Sequence, residues 1–145
     1  MKKIITMAII LLMIINTSSV AFGAVIDNGS NISPQFEYSM DVTKIFLIND
    51  GSASVEIKVT PYATAGITRA TATVRIIKSG TGSSVKNWTN VNMSEIGSNP
   101  IYSFRFNGKH TLSAKGTYYA EYELKLYKGT VLKETITGTT ASKIY

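Results

Sequence analysis

Strict alternation of apolar and polar residues in four separate stretches, with turn-forming dipeptides between them, predicts an all-β chain. No stretch beyond residue 23 shows an equally clean 3.6-residue repeat. Alternation gives a strand one buried and one wet face. About seven such strands, joined by tight turns, satisfy both faces as an antiparallel two-sheet sandwich, immunoglobulin-like in its strand number. A small closed barrel needs the same alternation and stays open as the alternative.

The strands follow in order. The apolar run Ile45–Ile48 is the first. Asp50-Gly51 ends it, a pair that tolerates the positive φ angles of a two-residue hairpin. Ala53, Val55, Ile57 and Val59 then alternate with Ser54, Glu56, Lys58 and Thr60. Ala70, Ala72, Val74 and Ile76 alternate with Thr71, Thr73 and Arg75. Lys78–Ser84 is rich in Gly and Ser and reads as a flexible surface loop, followed by a short strand with Trp88 and Val91. Trp88 is expected in the centre of the core. Tyr102, Phe104 and Phe106 alternate with Ser103 and Arg105, and Asn107-Gly108 reads as another turn. The longest run sets Tyr118, Ala120, Tyr122, Leu124 and Leu126 against Tyr119, Glu121, Glu123, Lys125 and Tyr127. Lys128-Gly129 turns the chain into a last strand, Val131–Thr137. The expected core joins the five apolar-face residues of the longest run to Val55, Ile57, Val59, Val74, Ile76, Phe104 and Phe106.

The N-terminus has the grammar of a secretory signal peptide. Lys2 and Lys3 precede a nearly unbroken apolar run, Ile4–Ile15, then polar Asn16–Ser19 and the small-residue pattern Ala21-Phe22-Gly23. About 12 apolar residues fall short of the ~20 of a membrane span. The expectation is cleavage after Gly23, a polar leader over residues 24–35, a sandwich domain over 36–145 and a secreted, extracellular product with no membrane span. The sequence contains no cysteine, so no disulfide framework supports the domain and no thiol is present for lipid attachment.

Fifteen Lys and Arg against nine Asp and Glu give a formal charge of +6. Without Lys2 and Lys3 the balance is 13 against nine. The bases are scattered singly rather than gathered into a stripe, which argues against nucleic acid as a partner. Weak, salt-sensitive attraction to anionic wall polymer is the milder consequence.

Catalytic sets are thin. His110 is the single histidine, it lies just past Asn107-Gly108, and no nucleophile-elbow pattern occurs. One His and no Cys exclude an ordinary structural zinc site. Asp27–Asn31 carries hard-cation ligands but lacks the closing Glu of a calcium loop. Gly80–Ser84 lacks the Lys-Ser/Thr close of a phosphate-binding loop. No cofactor is implied. Glu121 and Glu123 lie two apart on one strand face, about 7 Å from each other. That spacing could suit glycoside hydrolysis, but a solvated outer sheet face explains it as well. Tyr119 and Tyr127 share that face, and tyrosines beside carboxylates can stack on sugars or peptides. Tyr119, Glu121, Glu123 and Tyr127 are therefore the candidate ligand-binding residues.

Several landmarks together are similar to a group of small secreted β-sandwich proteins of Gram-positive bacteria. They are Ile32-Ser-Pro-Gln-Phe36, Gly51-x-Ala53, Lys86-x-Trp88, Lys115-Gly-x-Tyr118-Tyr119 and Glu134-Thr135, spanning residues 32–137. The resemblance implies export, a Gram-positive source and a β-sandwich. It carries no catalytic motif.

The leading expectation is an exported, noncatalytic module recognising cell-envelope polymer, such as wall polysaccharide, or another extracellular protein. Three alternatives stand beside it. One is a self-associating matrix protein, because Thr- and Val-rich strands with few prolines leave sheet edges poorly guarded. The others are a bacteriocin-like antagonist and a hydrolase using Glu121 and Glu123.

Overall fold

A computed structural model describes residues 36–98 and 101–145. The signal segment, the leader and its Asp27–Asn31 loop lie outside the described residues. Nine strands account for most of the described chain: β1 Ser39–Asn49, β2 Ser52–Pro61, β3 Arg69–Lys78, β4 Ser83–Asn92, β5 Ser94–Ser98, β6 Ile101–Thr111, β7 Thr117–Lys128, β8 Val131–Thr139 and the two-residue β9 Lys143–Ile144. A short 3-10 turn, Ala63–Ala65, joins β2 to β3. Among the described residues no helix is long and apolar enough to cross a membrane.

The strands form two antiparallel sheets, β1-β2-β6-β5 and β4-β3-β7-β8, with β9 on the start of β7. Four hairpins, β1–β2, β3–β4, β5–β6 and β7–β8, belong alternately to the first and second sheet. The pairings β2–β6 and β3–β7 knit the hairpins together. This is the immunoglobulin-like order A-B-E-D on C′-C-F-G. The start of β7 adds a second mark of that fold. Tyr118 is 1 % exposed, and its hydroxyl donates to the Ala114 carbonyl at 2.6 Å, pinning the corner where the chain leaves β6 for the other sheet. Ala120, two residues on, stands where antibody domains carry a disulfide cysteine, so packing alone closes this core.

Alternation sets the facing. Ala53, Val55, Ile57 and Val59 of β2 are buried, as are Tyr118, Ala120, Tyr122, Leu124 and Leu126 of β7. They share one cluster with Val74, Ile76, Phe104 and Phe106. Asp50 (φ 47°) and Gly51 (φ 74°) both take the positive φ of a two-residue hairpin turn, as that dipeptide predicts.

Three expectations are corrected. The surface loop expected over Lys78–Ser84 shortens to the four-residue turn Ser79–Gly82, because β4 begins at Ser83 and pairs back to Lys78. Asn107-Gly108 is not a turn but mid-strand in β6, opposite Glu56 and Val55. The glycine answers to packing: a Cβ there would lie 2.9 Å from the Phe106 ring and 3.0 Å from Trp88. Trp88, in turn, does not sit at the core centre. It lies half-buried on the edge strand β4 and meets Phe106 edge to face at 5.6 Å. Gly108 leaves the space that Trp88 fills. Gly108→Ala should therefore cost about 1–3 kcal/mol by overpacking. Urea unfolding followed by fluorescence of the only tryptophan reads it, and unchanged stability and emission would refute the packing role.

The sheet edges are guarded, contrary to the sequence expectation. Directly opposed residues of an antiparallel pair share a face. Lys44 of β1 opposes Ile57, Glu95 of β5 opposes Phe104, Lys86 of β4 opposes Ile76, and Glu134 of β8 opposes Leu126. All four partners are core residues. Every edge strand thus carries one charge on its inward face, a device that blocks edge-to-edge pairing. Lys44 and Lys86 place their ammonium groups 5.9 and 5.4 Å from the Tyr122 and Trp88 ring centroids. Their stems cover these rings while the charge stays at the rim.

Candidate functional site

The outer face of the second sheet is a shallow groove of about 520 Å3 that crosses all four long strands. Register places its side chains in two rows. Asn87 of β4, Arg75 of β3, Glu121 of β7 and Thr139 of β8 stand side by side. Thr73, Glu123 and Thr137 form the next row, with Thr89 at the β4 side of the groove. These positions alternate with buried core residues on the same strands, so the packing that buries Val74, Tyr122 and Leu124 also presents the groove. A bulge in the β3–β4 pairing lies between Ala72 and Val74, and the Asn90 N–H donates to Thr73 Oγ1 at 3.1 Å.

Charge in the groove is closed into pairs. Arg75 Nη2 donates to Glu121 Oε2 at 2.7 Å, and Lys125 Nζ lies 2.9 Å from Glu123 Oε1. The hydrogen bond that Lys125 donates to the Glu123 carboxylate raises the Lys125 pKa. Beneath the rows, burial raises the Tyr122 pKa. Its ring covers Gly138, where a Cβ would meet the hydroxyl at 2.5 Å.

The four sequence candidates separate. Glu121 and Glu123 line the groove, while Tyr119 and Tyr127 do not. Arg69 lies 4.0 Å above the Tyr127 ring centroid and takes one of its faces. The Tyr119 hydroxyl lies 3.4 Å from Glu121 Oε1. Both tyrosines are half-exposed and flank the groove on the outer face of β7. Both carboxylates are solvent-accessible and ion-paired. His110 lies within β6, opposite Ala53, rather than past a turn.

Sequence reading missed Thr73, Arg75, Asn87, Thr89, Thr137 and Thr139. Their outward alternation was visible, but their convergence depends on which strands flank β7. A second, smaller groove of about 370 Å3 lies on the first sheet, between exposed Ile45 and Leu47 and the Asn107–Lys109 segment. Among the described residues no three His, Cys, Asp or Glu side chains gather as a metal site. Against known proteins, the chain matches no family model, no curated protein and no solved structure.

Proposed function

We propose that this is an exported, noncatalytic module that recognises a cell-envelope polymer through the outer face of its second sheet. The observation that carries the reading is the groove itself. It is open at the surface, crosses four strands, and is lined by hydroxyls, an amide and ion-paired charges held rigid by the core beneath. Such a surface offers donors and acceptors along an extended ligand and no assembled reacting group. The export part of the reading rests on the signal grammar of residues 1–23.

Titration of the protein against purified wall polysaccharide and peptidoglycan tests it. Saturable binding that persists at raised salt is expected, weakened about tenfold (1.4 kcal/mol) by Arg75→Ala with the fold intact. Binding that disappears on adding salt, or that Arg75→Ala leaves unchanged, would reject the groove as the site.

A further inference from the structure

We infer that the groove takes a neutral, hydroxyl-bearing glycan lying across the strands, and not a polyanion, an inference that rests on the polymer-recognition reading above. The charge geometry argues first. Arg75 lines the groove and Lys125 stands in the row beyond Glu123 along β7, and each already holds a carboxylate, at 2.7 and 2.9 Å. A phosphate or carboxylate polymer approaching either cation would also face the paired Glu121 or Glu123 carboxylate, an unfavourable juxtaposition of like charges. A neutral hydroxyl faces no such conflict. It can donate to a Glu oxygen not engaged by the ion pair and accept from an Arg75 N–H left free by it.

The remaining lining agrees. Thr73, Thr89, Thr137, Thr139 and Asn87 supply short side chains that both donate and accept, as sugar hydroxyls do. The row Asn87–Arg75–Glu121–Thr139 runs perpendicular to the strands and spans three inter-strand steps, about 14 Å. That length suits a short stretch of extended oligosaccharide. Unlike the groove, the first sheet carries outward-facing cations with no carboxylate partner among the described residues: Lys58, opposite Arg105, and Lys109, opposite Ser54. Glu56 lies 3.7 Å from Arg105, which leaves Lys58 and Lys109 to attract anions. The two faces therefore divide the polymer chemistry, with neutral glycan on the second sheet and loose polyanion attraction on the first.

Calorimetric titration of the whole protein with soluble neutral oligosaccharides of glucose, mannose and N-acetylglucosamine, and separately with a glycerol-phosphate polymer, tests this at low and raised salt. One neutral oligosaccharide should bind saturably with little salt dependence and weaken about tenfold when Thr137→Val is combined with Thr139→Val. The polyanion should bind only at low salt and be lost with Lys58→Gln plus Lys109→Gln. Circular dichroism confirms folding of each variant. Salt-resistant polyanion binding that Arg75→Ala abolishes would overturn the neutral-glycan inference and leave the groove as a polymer site. No saturable binding by any probe that responds to groove substitutions would overturn both.

Discussion

Leu124→Ala should lower the unfolding free energy by about 2–5 kcal/mol, a large share of what a domain of this size possesses. Leu124 is fully buried in the middle of β7, with Ala72 and Ile136 opposite it on β3 and β8. Ala72 offers no long side chain to collapse into the space, so the cavity term adds to the lost transfer energy. The neighbouring Glu123 is the control. Its carboxylate forms only a surface ion pair with Lys125, and such pairs contribute ~0–1 kcal/mol. Chemical unfolding of both variants reads the contrast. Equal losses would mean that β7 faces the other way, and the groove built on its outer row would fall with it.

A triple substitution, Lys44→Val, Lys86→Val and Glu95→Val, should make the protein associate through its sheet edges. Each change removes the inward-facing charge from one edge strand, on β1, β4 and β5. Val favours strands, so secondary structure persists while the edge becomes an apolar template with unpaired N–H and C=O groups. Glu134 is left in place because its Oε1 accepts the Glu37 N–H at 3.0 Å. Sedimentation across a wide concentration range should show the unaltered protein monodisperse and the variant forming large species. A monodisperse variant would deny the charges their guarding role. Association of the unaltered protein would restore the matrix reading.

Much of this architecture can be read from the chain because it is written in local alternation. The facing of β2, β3, β6 and β7 follows from single-strand patterns, since a one-residue slip would bury Glu123 and Lys125. The turn at Asp50-Gly51 follows from backbone preference, and the one expected at Lys128-Gly129 falls one residue on, at Gly129-Thr130, with Lys128 still paired to Val131. β5 escaped because Ser94–Ser98 has no alternating apolar side, and β9 because two residues hold no period. Gly108 misled for a different reason. Asn-Gly signals a turn locally, whereas this glycine is required by a ring contributed from the opposite sheet. The site divides the same way. Glu121 and Glu123 were legible on their own strand. Arg75, Asn87 and Thr139 join them only through the β3–β7 and β7–β8 registers, which no local pattern encodes.

The alternating hairpins also set a timescale. Each hairpin closes between near neighbours in sequence, on the order of microseconds. The pairings β2–β6 and β3–β7 instead join residues some fifty positions apart, as Val55 with Gly108 and Val74 with Tyr122. Sandwiches whose sheets depend on such distant partners complete folding in roughly milliseconds to seconds. Until those distant pairings form, no crosslink holds the hairpins together. During that time β2, β3, β6 and β7 also stand with a bare side, and none of the four inward-facing charges lies on them. The vulnerable interval of this protein is its assembly: once β2 meets β6 and β3 meets β7, only the charged margins remain open.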